Sequence, residues 1–183
     1  MAAPIISKNI RVRHPDHFVV GDDSIVDDYC YFSTRVEVGR LSHVCTGCLV
    51  GGGGTKHLFR LGDYSSLSSG VKIWCQSGSY VDDLIVSCPP GIHLPEELSH
   101  GDAGDVILER CTCIGANSVV MPDNRIPEGV TIGALSFVPP RFPFEPWSVY
   151  AGIPLRKIKD RNKANVLAQL DFYLRALDAR DKK

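Results

Sequence analysis

Histidine and aspartate side chains are the groups in this chain best suited to proton transfer near neutral pH. An imidazole is the usual general base in this range. His57 is the leading candidate, because it lies in a short polar segment, residues 55–60, that interrupts an otherwise regular sequence. His93, His100 and Asp83 are alternatives within a second, longer polar segment. Each of these residues could equally be an ordinary surface group, so residue type alone does not select the base.

Aromatic and acidic residues close to these candidates could hold a polar ligand. Trp74 and Tyr80 offer flat faces on which a sugar ring can stack. Asp82 could accept hydrogen bonds from hydroxyl or amino groups, or act with its neighbour Asp83 as a base. The two aromatic residues could instead pack at a subunit interface.

Two motifs suggest metal or phosphate binding but are incomplete. Cys45 and Cys48 form a C-x-x-C pair, yet no second such pair or spaced histidine pair is present to close a tetrahedral zinc site. The glycines of residues 51–54 are not followed by the Gly-Lys-Ser or Gly-Lys-Thr of a phosphate loop. We therefore expect no metal, and we expect Cys48 to be a small buried residue.

A basic cluster near the C-terminus could bind an anion. It consists of Arg156, Lys157, Lys159, Arg161 and Lys163. An amphipathic helix is predicted over residues 161–179, with Asp160 as its N-cap. Positive charge at a helix start opposes the macrodipole, so a bound anion would compensate it. A solvated basic patch is the alternative.

The element that must position all of these residues is a six-residue repeat. Between residues 108 and 138 an aliphatic residue returns at every sixth position, at Leu108, Ile114, Val120, Ile126, Ile132 and Val138. The same spacing runs from Val20 to Val50. Neither an α-helix nor a simple alternating strand selects one position in six. The period instead predicts a parallel β-helix of about five coils, with three short strands in each coil.

The repeat is interrupted at defined places. Residues 1–19 do not fit it and are predicted to be an N-terminal cap, so the β-helix domain is predicted over residues 20–158. The next aliphatic after Val50 is Leu61, which we interpret as a one-residue slip over two repeats. Residues 78–105 are predicted to form a protruding loop that covers the substrate and reaches a neighbouring subunit. The terminal region, residues 159–183, is predicted to be a helix and tail that cover the open end of the β-helix.

Composition limits the classes of function. The formal net charge of −1 gives no basic surface for nucleic acid, and no stretch is long and apolar enough to insert into a membrane. Seven cysteines, an odd number scattered through the repeat, favour a reducing cytoplasm over a disulfide framework.

The repeat, the protruding loop and the stretch from Pro146 to Ile158, which reads PWSVYAGIPLRKI, resemble the hexapeptide-repeat acyltransferases. The sugar, galactoside and maltose acetyltransferase branch is the most similar. The resemblance covers residues 20–161 and implies a left-handed parallel β-helix and a homotrimer. It also implies acetyl-coenzyme A, bound in a groove between neighbouring subunits, as acyl donor.

The resemblance assigns cofactor-binding residues by position. Ala116 and Ala134, in two Ile-Gly-Ala turns, would offer backbone contacts to the pantetheine arm, and Gly152 would admit the cofactor closely. Arg156 and Lys157 would dock its phosphates. Arg161 belongs to the same predicted set.

One departure from the family pattern concerns the base. Galactoside acetyltransferases carry a histidine soon after the coil that corresponds to residues 67–77, but residues 76–83 here read QSGSYVDD. Either another histidine or a carboxylate serves, or the acceptor is an amine that can lose its proton without a strong protein base.

The resulting prediction is an acetyl-coenzyme A-dependent O- or N-acetyltransferase. Its acceptor would be a sugar, possibly nucleotide-linked, used in surface polysaccharide biosynthesis. An antibiotic or other xenobiotic acceptor is the alternative within the same class. A γ-type carbonic anhydrase would need three zinc-binding histidines from adjoining coils, and a non-catalytic β-helix would need no long polar loop.

Overall fold

Parallel strands stacked one above another form the body of this protein. The computed structural model describes residues 2–77, 92, 95 and 101–182. Val26 pairs with Val44, and Ile114 pairs with Ile132, so equivalent residues of uninterrupted coils are 18 positions apart. Each coil therefore consists of three hexapeptides, as the six-residue period predicts. The fold is a parallel β-helix of about six turns with one C-terminal helix.

The strands form three faces. Sheet 1 contains β1 (Ile5–Ile6), β4 (Ile25–Val26), β6 (His43–Val44), β8 (Ser66–Leu67), β13 (Cys113–Ile114), β16 (Thr131–Ile132), β18 (Ser148–Ala151) and β19 (Arg156–Asp160). Sheet 2 contains β2 (Arg11–Val12), the first parts of β5 (Tyr31–Val38) and β7 (Leu49–Leu61), then β9 (Lys72–Trp74), β14 (Val119–Val120) and β17 (Phe137–Val138). Sheet 3 contains β3 (Phe18–Val20), the last parts of β5 and β7, then β12 (Val106–Leu108) and β15 (Asn124–Ile126).

The predicted repeat residues fill the interior. Leu67, Leu108, Ile114, Ile126 and Ile132 are all fully buried. Burying an aliphatic side chain of this size contributes about 1.5–3 kcal/mol, and one such residue is buried at every sixth position. The stacked aliphatic residues are therefore the main source of stability.

Small polar residues close the turns. Ser24, Ser42 and Ser65 are buried one above another at the corner between sheets 3 and 1. The Ser24 hydroxyl donates to the Gly39 carbonyl at 2.7 Å, and the Ser42 hydroxyl donates to the Gly62 carbonyl at 2.8 Å. These bonds satisfy carbonyl groups that a tight turn would otherwise leave unpaired.

The β-helix begins earlier than the sequence predicts. Strands β1, β2 and β3 pair in parallel with β4 and β5, so residues 5–20 build a coil instead of an irregular cap. The repeat is hidden there because the short 3₁₀ helix Pro15–His17 lies between the Val12 and Val20 positions and lengthens that step to eight residues. This additional coil accounts for about six turns, where about five are predicted.

The C-terminal helix starts later than predicted and lies elsewhere. Helix α1 runs from Lys163 to Asp181, and Asn162, not Asp160, is its N-cap. Its first residue lies over the Trp147 ring, with 5.2 Å from the Lys163 Nζ to the ring centroid. Near its other end, Arg180 pairs with Asp23 at 2.7 Å.

Trp147 and Asp23 occupy the same corner of the last and first coils, so α1 runs down the side of the β-helix and does not cover its open end. The lengths agree: five steps between rungs span about 24 Å, and the helix from its first residue to Arg180 spans about 26 Å. Within the residues that the structure describes, no helix is long and apolar enough to cross a membrane.

Candidate active site

Both interruptions of the repeat leave the β-helix at one corner, between sheets 2 and 3. Val50 and Leu61 are eleven residues apart and Ile73 and Leu108 are 35 apart, where six residues normally separate these positions. The register shows that the two steps belong to adjacent coils, because β7 pairs with β9 on one side of the corner and with β12 on the other. The bases of the two insertions therefore lie next to each other.

The register also corrects the interpretation of the first interruption. Phe32 pairs with Val50, and Val38 pairs with Leu61. The six-residue step from Phe32 to Val38 in one coil is therefore matched by the eleven-residue step from Val50 to Leu61 in the next. The interruption is thus extra chain inserted into a single step, and the predicted one-residue slip over two steps is wrong. Thr55 and Lys56 of this insertion are exposed, so the additional chain lies outside the interior of the β-helix.

His57 lies at the end of this first insertion and is held from two sides. The Thr34 hydroxyl, from the preceding coil, donates to the His57 carbonyl at 2.7 Å. The His57 Nδ1 lies 3.8 Å from the Asp105 Oδ1, and the same carboxylate oxygen accepts from the Leu58 amide at 2.9 Å. The His57 side chain is mostly buried, with 16% of its surface exposed.

The strand pair that begins and ends the second insertion is anchored close by. Strands β10 (Gln76–Ser77) and β11 (Asp102–Ala103) pair in antiparallel fashion. Arg141, from the last coil, donates to the Asp102 carboxylate at 2.8 Å, and the Asp102 side chain is 12% exposed. The return strand of the insertion is therefore tied to the body of the β-helix, only a few residues before Asp105.

Trp74 borders the same corner. It pairs with Gly51 of the neighbouring strand β7 and is half-buried. A side chain at Gly51 would lie 3.4 Å from the Trp74 ring, so the glycine leaves one edge of the indole free of a neighbouring side chain. Gly52, with φ of +104°, brings its backbone against Gln76 at the start of the second insertion.

The predicted residues His57 and Trp74 thus lie at one corner of the β-helix, and Asp105 and Thr34 contact His57 there. The other predicted site residues here, Tyr80, Asp82, Asp83, His93 and His100, lie outside the described residues. Sequence reasoning missed Asp105 because it is 48 positions from His57. Only the spacing of the two insertions could have indicated that they meet.

The predicted cofactor residues collect at a different corner, between sheets 1 and 2. Ala116 and Ala134 lie one above the other, and the Leu135 amide donates to the Ala116 carbonyl at 2.9 Å. A side chain at Gly115 would come within 2.3 Å of the Ala134 amide nitrogen, so only glycine permits this close approach of the coils. Gly152, one coil further, has φ of +98° and donates its amide to the Ser136 hydroxyl at 3.0 Å. The three predicted residues therefore form a vertical row.

The basic residues do not lie at a helix start, so the predicted conflict with a macrodipole is wrong for most of them. Arg156, Lys157 and Lys159 lie in β19, which pairs in antiparallel fashion with β18. Lys157 pairs with the Asp160 and Glu145 carboxylates, each at 2.8 Å, which raises the pKa of the lysine. Arg156 is exposed, and no carboxylate of the described residues lies within ion-pair distance of it.

The Arg161 side chain is bound to backbone carbonyl groups of the β-helix. One of its guanidinium nitrogens donates to the Cys111 carbonyl at 2.6 Å and to the Gly129 carbonyl at 3.0 Å. It thereby joins the start of α1 to two successive coils. The predicted contact of Arg161 with a cofactor phosphate remains a prediction.

Comparison with known proteins decides the class. No family model matches the chain. The chain is 30% identical over 155 residues to an Escherichia coli dTDP-4-amino-4,6-dideoxy-D-glucose acyltransferase, which covers 81% of this chain and 74% of the relative. The chain belongs to the hexapeptide-repeat acyltransferase family. It is an acyltransferase, which agrees with the resemblance inferred from the repeat.

Solved structures agree with this acyltransferase assignment. AntD, an N-acyltransferase from Bacillus cereus in complex with dTDP and 3-hydroxybutyryl-CoA, is 27% identical, with a TM-score of 0.81 over 96% of this chain and 88% of AntD. A point mutant of AntD, in complex with dTDP-4-amino-4,6-dideoxyglucose and coenzyme A, is 28% identical, with a TM-score of 0.80 over 93% and 87% of the two chains. A hexapeptide-repeat acetyltransferase from Vibrio cholerae shares the fold, at 16% identity and a TM-score of 0.61 over 80% and 76%.

Proposed function

We propose that this enzyme transfers an acyl group from an acyl-coenzyme A to the amino group of a nucleotide-linked amino sugar, of the dTDP-4-amino-4,6-dideoxyhexose class. The observation that carries the proposal is the identity with the Escherichia coli dTDP-aminosugar acyltransferase across most of both chains. The similarity to AntD, which was solved with an amino-sugar nucleotide and with acyl-coenzyme A, supports it. An amine acceptor is one of the possibilities left open by the absence of histidine from residues 76–83.

The reaction needs one proton to be removed from the acceptor. The amine nitrogen attacks the thioester carbonyl, the C–N bond forms, the C–S bond breaks, and the nitrogen loses a proton while the departing thiolate gains one. His57 is proposed as the base, because it is mostly buried beside the Asp105 carboxylate at the corner where both insertions begin. Asp105 is proposed to orient the imidazole and to stabilise its protonated form.

Trp74 is proposed to contact the sugar nucleotide from the side of sheet 2. Its half-buried indole stands above a glycine and next to the anchored strands of the second insertion. Tyr80, Asp82 and Asp83, which belong to that insertion, stay candidates for the acceptor site. His93 and His100 stay alternatives to His57 as base.

The donor is proposed to lie along the row of Ala116, Ala134 and Gly152, with its phosphates near Arg156 and Lys157. This row and the His57 corner lie at opposite edges of sheet 2, so a single chain separates the proposed donor and acceptor sites by the width of one face. A homotrimer would juxtapose the donor row of one subunit with the His57 corner of its neighbour. We therefore propose a homotrimer with three active sites between subunits.

We also propose that the enzyme acts in the cytoplasm. An acyl-coenzyme A donor is an intracellular metabolite, and the described cysteines, which are Cys30, Cys45, Cys48, Cys75, Cys111 and Cys113, are all free thiols. The N-acylated sugar nucleotide produced would serve surface polysaccharide biosynthesis. Acetyl is the predicted acyl group, and the assay below includes a longer hydroxyacyl donor.

Thiol release from acetyl-CoA and 3-hydroxybutyryl-CoA tests the proposal. The purified chain is incubated with dTDP-4-amino-4,6-dideoxyglucose, with the same nucleotide sugar bearing a 4-hydroxyl, and with the amino sugar lacking dTDP. We expect fast turnover only with the nucleotide-linked amine. Equal turnover with the hydroxyl compound would contradict an amine acceptor, and turnover without dTDP would contradict a nucleotide-linked one.

A further inference from the structure

The outward face of sheet 1 carries a group of side chains that the acyltransferase site does not use. Asp27 follows β4, His43 begins β6 and Cys45 follows β6, so the three residues lie on two adjacent rungs and point away from the interior. All three are half-buried. On the next two rungs of the same face, the position of His43 is taken by Ser66 and then by Cys113. These two rungs therefore do not repeat the combination of groups.

The three side chains are close enough to share one ion. The His43 Nε2 lies 2.8 Å from the Asp27 Oδ2, and the His43 Nδ1 lies 3.7 Å from the Cys45 Sγ. One ligand atom from each residue lies within 4.8 Å of the other two. Tetrahedral zinc with ordinary bond lengths holds its ligand atoms about 3.6 Å apart. The three ligand atoms therefore lie about as close together as the ligands of a zinc ion, with one ring nitrogen of His43 as the histidine ligand.

The ligand types favour a divalent transition metal. Imidazole nitrogen, thiolate sulfur and carboxylate oxygen are the three donors that zinc accepts, whereas calcium and magnesium require oxygen ligands. Three protein ligands leave a fourth position for water, as in zinc sites that are not purely structural. Cys48, the second cysteine of the C-x-x-C pair, is not a ligand, because it is 1% exposed and faces the interior.

The same contacts also resemble a thiol nucleophile with its base and orienting carboxylate, but the electrostatics disfavour that function. Burial raises the pKa of the Cys45 thiol, and the Asp27 carboxylate and the thiols of Cys113 and Cys30 raise it further. A nucleophilic cysteine instead needs a lowered pKa. A bound cation would reverse the penalty, because it neutralises the charges that oppose the thiolate.

We propose that Asp27, His43 and Cys45 form a binding site for a divalent transition metal such as Zn²⁺ on the outward face of sheet 1. The site is independent of acyl transfer, since it lies on a different face from the insertions that carry His57. Metal binding would join two adjacent coils near the N-terminal end and stabilise them.

Titration of the purified full-length chain with Co²⁺ under thiol-free reducing conditions tests the site. We expect one equivalent to bind, with the intense near-ultraviolet charge-transfer band of a cobalt–thiolate bond. Cys45→Ser should abolish this band, and His43→Gln should weaken binding by at least about tenfold. Cys113→Ser is the matched control, because it removes another half-buried thiol of the same face, and it should bind like the wild type.

A second measurement uses stability in place of spectroscopy. Zn²⁺ should raise the thermal midpoint of the wild type and of Cys113→Ser but not that of Cys45→Ser. Absence of a saturable cobalt band in the wild type, or an undiminished band in Cys45→Ser, would overturn the proposal. Rapid alkylation of Cys45 that Zn²⁺ does not slow would also overturn it, in favour of a reactive thiol. None of these results depends on the acyltransferase assay.

Discussion

Replacing His57 by glutamine removes the imidazole but keeps a polar side chain of comparable length. A positioned general base contributes roughly 10²- to 10⁴-fold to the rate, so we expect kcat to fall by at least about 100-fold. The Michaelis constant for acyl-coenzyme A should change little, because the proposed donor row lies at another corner. Among the described residues, the nearest charged partner of the imidazole is the Asp105 carboxylate at 3.8 Å, which is too long for a hydrogen bond. The fold should therefore tolerate the change.

The contribution of Asp105 can be worked from the same geometry. The carboxylate is 54% exposed and lies 3.8 Å from Nδ1, which in a water-like dielectric gives about 1 kcal/mol of attraction for a protonated imidazole. Asp105→Asn should therefore lower kcat by about fivefold. The substitution removes the charge while its amide oxygen can still accept from the Leu58 amide. Asp105→Ala should cost more, because that hydrogen bond is lost as well.

Initial rates of thiol release with a saturating amino-sugar nucleotide measure these effects. His17→Gln is the matched control, because His17 is exposed in the N-terminal 3₁₀ helix, and it should retain the wild-type rate. A rate for His57→Gln within about threefold of the wild type would refute the assignment, since a base contributes far more than that. The base would then be His93, His100 or a carboxylate, or the amine would lose its proton without one.

Three further predictions concern the donor site, the coil packing and the anchoring of the first insertion. Arg156→Ala should raise the Michaelis constant for acyl-coenzyme A by roughly tenfold and Lys157→Ala by less, because Lys157 already has carboxylate partners; unchanged constants would exclude phosphate docking here. Gly115→Ala should destabilise the fold by about 2–3 kcal/mol, because its Cβ would meet backbone of the next coil. Gly47→Ala, at a positive φ but with open space, should cost only about 1 kcal/mol in denaturant unfolding, and equal losses would contradict the packing argument. Thr34→Val should destabilise by about 1–2 kcal/mol by leaving a carbonyl of the insertion unpaired, and Thr34→Ser should restore it.

The sequence predicts the architecture well where the repeat is regular. The aliphatic residues from Leu108 to Val138 recur every six positions because each hexapeptide places one large aliphatic side chain in the interior, and all six of these residues are buried. The same rule fails at residues 1–19, where two extra residues around Pro15 shift the count although the strands still pair. Periodicity detects regular packing, but it does not detect a rung displaced by a short insertion. It also does not determine handedness, which was inferred from the family resemblance, because a period of six suits a helix of either hand.

The candidate site depends on contacts that no local pattern contains. The sequence selected His57 because it interrupts the repeat, whereas Ala116 and Ala134 were assigned through the family resemblance. Only the tertiary structure showed that the two insertions meet at one corner and that Asp105 reaches the His57 ring. It likewise placed Asp27 beside His43 and Cys45, through the pairing of two rungs 18 residues apart. One-dimensional periodicity thus determined which residues face inward, whereas the lateral register between coils decided which outward residues act together, because these contacts join residues far apart in the chain.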